Sequence, residues 1–136
     1  MSTVLKNKNL LIVEDAQPVM EIVKTVLKNM GALSTGVGSV SRARECLSVQ
    51  RFDAVILDRY LDDQDGHELL KYLKKNKETK DIPVIMLTGE NEMAEIKASL
   101  SLGAEGYIAK PFRASSFLDQ LEKILRRHSE VDLGFK

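Results

Sequence analysis

Short apolar runs, each broken off by a polar or charged residue, punctuate this chain. The most constraining is Ala54-Val55-Ile56-Leu57, which stops at Asp58. A run so short and so apolar reads as a strand buried on both faces of a parallel sheet. Its last residue then stands at the carboxyl edge, where open α/β sheets bind ligands. The stretch that follows, Arg59-Tyr60-Leu61-Asp62-Asp63-Gln64-Asp65-Gly66, is polar and ends on an Asp-Gly turn signal, so the Asp58 carboxylate is expected exposed at a loop mouth. Held there, it can be a nucleophile, a metal ligand or both.

Four further runs share this form. Leu10 to Val13 ends in Glu14-Asp15. Pro83-Val84-Ile85-Met86-Leu87 carries proline at its first position, where a ladder donor is least missed, and ends in Thr88-Gly89. Gly106-Tyr107-Ile108-Ala109 ends in Lys110-Pro111, and Leu33 to Val37, which alternates poorly, is the weakest strand signal. Helical patterns lie between them. After Pro18, suited to a first helical turn, Val19, Ile22, Val23, Val26, Leu27 and Met30 form one apolar stripe that Gly31 ends. Ser39 offers an N-cap for a short helix burying Val40, Ala43 and Leu47. Leu69, Leu70 and Leu73 mark a third helix; its neighbours Lys71, Lys74, Lys75, Lys77 and Lys80 read as a solvated face and loop. A fourth helix, roughly Glu92 to Leu102, has only Met93, Ile96 and Leu100 as large apolar residues, so its own sequence anchors it weakly; Gly103 caps it. Phe117, Leu118, Leu121, Ile124 and Leu125 share a face of the last helix, which ends near Arg126-Arg127-His128, where cations suit the dipole.

Five strands alternating with five helices call for an α/β fold, a parallel sheet with helices on both faces and right-handed crossovers. At 136 residues the chain is one domain with a single expected core. Lys plus Arg and Asp plus Glu balance at 20 each, which speaks against direct nucleic-acid or anionic-membrane binding. The lone Cys46 forms no internal disulfide, the start lacks a signal-peptide pattern, and no apolar run nears the roughly 20 residues that span a bilayer. The cytoplasm is the expected compartment.

The last residues of the strands gather Glu14-Asp15, Asp58, Thr88 and Lys110 at one predicted edge. Three clustered carboxylates raise at least one pKa unless a cation neutralises them. A hard divalent ion such as Mg²⁺ does so with oxygen ligands, commonly one or two carboxylates plus phosphate oxygens. Lys110 adds a point charge and Thr88 a hydroxyl donor. This chemistry favours phosphoryl transfer to an aspartate, which needs in-line attack and charge neutralisation but little general-base help. Asp58 is the best nucleophile; Glu14 and Asp15 are better placed to hold metal and its water.

With those residues in view, the chain resembles the receiver domain of bacterial two-component response regulators over nearly its whole length. The resemblance is carried by Leu11-Ile12-Val13-Glu14-Asp15, Val55-Ile56-Leu57-Asp58, Asp65-Gly66, Pro83 to Thr88, and Gly103-Ala104 through Tyr107 to Lys110-Pro111. It implies a flavodoxin-like five-stranded sheet of order 2-1-3-4-5. It also implies Asp58 as phosphoacceptor, Mg²⁺ on Asp15, Asp58 and the backbone carbonyl of Tyr60, with Glu14 assisting through water, Lys110 contacting the phosphoryl group, and a cis Lys110-Pro111 bond. Thr88 and Tyr107 match the family's switch pair: the Thr88 hydroxyl moves inward on phosphorylation and Tyr107 rotates into the space left, changing a face made of the fourth helix, fifth strand and fifth helix.

The implied partners are a sensor histidine kinase or phosphotransfer protein upstream, and a downstream protein target or an effector domain absent from this chain; the implied state is a monomer or a phosphorylation-dependent dimer. Such a module is no enzyme beyond its own phosphorylation and dephosphorylation. Residues 1–128 are assigned to the receiver, and 129–136 to a tail or the start of a linker. Departures from the family pattern are Asp62 in place of the usual proline, Gly89 where alanine is common, and the unusually acidic loop from Asp62 to Asp65. Tyr60 and Glu90 flank the path of attacking water in receivers, and a bulky Tyr60 is expected to slow hydrolysis. Two alternatives are a pseudo-receiver working by protein contacts alone and a phosphatase of the haloacid-dehalogenase type; the latter usually has a second aspartate where this chain has Tyr60.

Overall fold

A computed structural model describes residues 4–89 and 93–132, with side chains described as far as Ser129. Glu90, the residue paired above with Tyr60, lies outside the described residues. Ten elements alternate along the chain: β1 (Asn9–Val13), α1 (Gln17–Asn29), β2 (Leu33–Val37), α2 (Val40–Val49), β3 (Ala54–Asp58), α3 (Gly66–Lys75), β4 (Val84–Gly89), α4 (Met93–Ser101), β5 (Gly106–Lys110) and α5 (Ala114–Asp132). The strands form one parallel sheet in the order β2-β1-β3-β4-β5, the doubly wound arrangement expected.

Period-two alternation along the central strands splits the core in two. Leu10, Ile12, Ala54, Ile56, Ile85 and Leu87 face one side, where Val23 and Leu27 of α1 and Phe117 and Leu121 of α5 cover them. Leu11, Val13, Val55, Leu57, Val84 and Met86 face the other, against Val40 and Ala43 of α2 and Leu69, Leu70 and Leu73 of α3. Each large side chain so buried contributes about 1.5–3 kcal/mol, and this double-sided burial holds the strand ends, and hence any site built on them, in fixed register.

Several local expectations are revised. The inward stripe of α1 runs through Met20, Val23, Val26 and Leu27, whereas Ile22 is exposed; it lies off the centre of the buried arc at 3.6 residues per turn. Lys74 is no solvated surface charge. Its ammonium donates to the carbonyls of Lys80 (3.1 Å) and Ile82 (2.8 Å) and sits 3.6 Å from the Glu105 carboxylate, tying α3 to the segment before β4. Burial lowers its pKa against the opposing pull of Glu105. Helix α5 continues through Ser129 to Asp132, past the point where its apolar periodicity fades.

Capping of α2 and α3 is richer than sequence signals show. Ser39 caps α2 as expected, accepting from the Arg42 N–H at 3.2 Å. A second cap arrives from far along the chain: the Asp63 carboxylate accepts from the N–H groups of Val40 and Ser41, both at 3.0 Å. Asp65 caps α3, accepting from the His67 N–H at 2.9 Å. The acidic loop is therefore stitched to two helix N-termini, where carboxylates are favoured by unsatisfied donors and the helix dipole.

Candidate functional site

Parallel pairing levels the strand ends. Val13 lies opposite Leu57, Asp58 opposite Leu87, Thr88 opposite Ala109 and Gly89 opposite Lys110. Glu14, Asp15, Asp58, Thr88 and Lys110 consequently emerge at one edge, and the side chains of Glu14, Asp15, Asp58 and Lys110 meet there. Carboxylate oxygens of Glu14, Asp15 and Asp58 lie within 4.8 Å of one another. The Lys110 ammonium reaches 2.8 Å from Glu14 Oε1 and 3.3 Å from Asp58 Oδ2. The second Glu14 oxygen accepts from the Ala16 N–H at 3.0 Å, which turns the chain into α1. The Lys110-Pro111 peptide is cis, as anticipated.

Burial corrects one expectation: Asp58 is only 6 % exposed and Glu14 2 %, so the loop mouth does not bare them, while Asp15 is open to solvent. Asp58 is pushed up to about 6, first by burial and then by the Glu14 charge, with Lys110 opposing. Burial lowers the Lys110 ammonium, but its bonds to Glu14 and the charge of Asp58 prevail and hold its pKa above the ordinary lysine value. Crowded acids sharing one cation thus leave the central carboxylate short of neutralising charge, a deficit that a second cation fits.

Thr88 is 2 % exposed, and its hydroxyl has no hydrogen-bond partner among the described residues. Leaving such a group unsatisfied costs about 1–3 kcal/mol. Tyr107, on neighbouring β5, is partly exposed. Tyr60 is exposed as well, its ring 5.3 Å from the Arg59 guanidinium, and its backbone bridges to Asp65. Sequence reasoning missed the fit of Gly66: a Cβ there would collide with the carbonyl of Asp58 and with Arg59, so the first residue of α3 presses directly on the end of the acceptor strand. The Asp65-Gly66 pair was the available signal, and it marks a helix start packed on β3, with no free turn.

Residues 10–122 match the family model for the response regulator receiver domain. The chain belongs to that family. Among curated relatives, the receiver is 34 % identical over 123 residues to the chemotaxis protein CheY-3 of Vibrio cholerae, covering 90 % of this chain and 95 % of the relative. Among solved structures it superposes on a putative response regulator from Chloroflexus aurantiacus with a TM-score of 0.84 and 31 % identity, over 89 % of this chain and 99 % of that one. It also shares its fold with the receiver domain of a sensor histidine kinase from Pseudomonas aeruginosa, a structure with magnesium coordinated in the active-site cleft (TM-score 0.77, 24 % identity, 88 % and 98 % of the two chains). Membership of the receiver family, with its parallel order, removes the phosphatase alternative. Among the described residues no helix of this receiver is long and apolar enough to cross a membrane.

Proposed function

We propose that this receiver takes a phosphoryl group from a histidine kinase or phosphotransfer protein onto Asp58 and reports it through a protein-binding face. The observation that carries the reading is the convergence of one buried aspartate, two further acids, an ammonium and an unsatisfied hydroxyl on a single sheet edge. Asp15 and Asp58, with the Tyr60 carbonyl, would hold Mg²⁺, and Glu14 would assist through water; the crowded acids fit a hard cation. When bound, the ion neutralises charge on the phosphoryl oxygens. Asp58 supplies the nucleophilic oxygen and needs no base once ionised. Lys110, already 3.3 Å from that carboxylate, offsets charge on the incoming group.

Thr88 donates its unused hydroxyl to a phosphoryl oxygen, and Tyr107 responds from the adjacent strand. The face that changes comprises α4, β5 and α5, on which Met93, Leu100 and Tyr107 are the exposed large apolar residues among the described ones. Such a face suits a downstream protein or an effector domain, with no direct contact to nucleic acid or membrane, in a monomer or a dimer formed on phosphorylation. Incubation with acetyl phosphate and Mg²⁺ is expected to add the mass of one phosphoryl group, an addition prevented when a chelator is present from the start and absent in Asp58→Asn. An unmodified wild-type mass would leave a pseudo-receiver.

A further inference from the structure

Helix α4 buries only Ile96 and Ser99 among its described residues, so apolar packing holds it thinly. Two polar contacts supply what the stripe lacks. Glu95 Oε1 lies 2.8 Å from Nη1 of Arg59, both side chains being mostly buried, and Ser99 Oγ lies 2.8 Å from Nε2 of the buried His67. Glu95 and Ser99 are four apart, hence on one face of the helix. Their partners belong to the short segment that leaves the acceptor: Arg59 directly follows Asp58, and His67 lies in the first turn of α3.

Arg59 is itself held from several sides. Its guanidinium forks onto the Asp65 carboxylate, with Nε 3.2 Å from Oδ1 and Nη2 3.2 Å from Oδ2, and its carbonyl accepts from the Gly66 N–H at 2.6 Å. One rigid arginine thus connects the end of β3, the cap of α3 and the first turn of α4.

We infer that Arg59–Glu95 and His67–Ser99 form a polar seam that latches α4 in its resting placement and links it to the acceptor through the residue next in the chain. The inference rests on the phosphorylation reading of Asp58. A phosphoryl group there carries a charge of about −2 where the ionised carboxylate carried −1, one residue along the chain from Arg59; on this proposal the added charge competes with Glu95 for the guanidinium. Opening the seam frees a helix that, among its described residues, buries only Ile96 and Ser99. By linkage, weakening the seam in the unmodified protein favours whatever placement the phosphorylated site prefers.

Hydrogen–deuterium exchange with mass spectrometry, on metal-free and unphosphorylated protein, compares wild type with Glu95→Gln, Ser99→Ala and the double variant. The double variant is expected to exchange about tenfold faster over residues 93–101, with β1, β3 and α1 unchanged. Beryllium trifluoride, a tetrahedral stand-in for the phosphoryl group, is expected to bind it a few-fold more tightly in Mg²⁺. Exchange in α4 within twofold of wild type overturns the latch, as does unchanged or weaker beryllium trifluoride binding beside a wild type that binds it. If the double variant loses protection in β1, the single Glu95→Gln variant decides by the same readouts. A wild type that does not bind beryllium trifluoride removes the phosphorylation reading instead, and α4 exchange alone then decides whether the seam holds the helix.

Discussion

Replacing Asp58 with asparagine should stabilise the metal-free protein at neutral pH and leave it unchanged in acid. The folded-state pKa of Asp58 is raised from 3.8 to about 6, by burial first and by Glu14 second. A raised carboxylate pKa means that the folded state prefers the protonated acid. The stabilising contribution is fully present below the unfolded value of 3.8, and is lost as pH rises through about 6. Two pKa units correspond to about 3 kcal/mol. Water reaches the rim of the cleft at exposed Asp15, and screening there reduces the expected effect to about 1–2 kcal/mol. Urea denaturation in the presence of a chelator should therefore show Asp58→Asn more stable than wild type by that amount at pH 7.5. The gap should shrink through pH 6 and close near pH 4. A variant no more stable than wild type at pH 7.5, or a gap that persists at pH 4, would refute the assignment of strain to the ionised acceptor.

Other substitutions test the surrounding structure. Asp63→Ala removes two hydrogen bonds from the N-terminus of α2 and should cost about 1 kcal/mol in urea unfolding, although the residue looks like a free loop acid. Gly66→Ala drives a methyl group into the Asp58 carbonyl; overpacking of this kind costs about 1–3 kcal/mol and should also slow acetyl phosphate labelling. Lys74→Met leaves the Ile82 and Lys80 carbonyls without their donor and should lower stability by about 1–3 kcal/mol, where a surface lysine would change it by less than about 0.5 kcal/mol. Tyr60→Ala should speed loss of the phosphoryl group from Asp58, measured as the decay of the mass adduct; an unchanged decay rate rules out a shielding role for the ring.

The central strands were legible in the sequence because burial on both faces leaves a short apolar run bounded by polar and turn residues. Val55-Ile56-Leu57 and Ile85-Met86-Leu87 carry it, and the polar residues that stop them locate the site. Side-chain partnerships across the chain leave no such mark. Asp63 caps a helix that starts 23 residues earlier, and no local pattern distinguishes it from exposed Asp62 beside it. Lys74 falls within a run of lysines that elsewhere are solvated, and only the fold shows that its ammonium meets two carbonyls. Likewise the sparse stripe of α4 was visible, but Glu95 and Ser99 declare their partners only once the fold brings Arg59, after β3, and His67, in α3, beside them.

The resting site stores several separate costs, and all are of a kind that one ligand pair relieves. Asp58 is ionised at neutral pH only against burial and a neighbouring carboxylate; a divalent cation removes that opposition. The Thr88 hydroxyl is buried without a partner among the described residues, and a phosphoryl oxygen would supply an acceptor. Lys110 divides its charge between two acids, and a new anion on Asp58 gives it a stronger partner. None of these groups is placed as a folding optimum would place it, since an apolar side chain at position 88 or an amide at position 58 would serve stability better. On the proposed function, their joint presence at one edge means that phosphorylation would lower the free energy of the site itself. Under that proposal, such a difference between the two states is what would move α4 and Tyr107, because a ligand shifts a conformational equilibrium only by as much as it discriminates between the conformations.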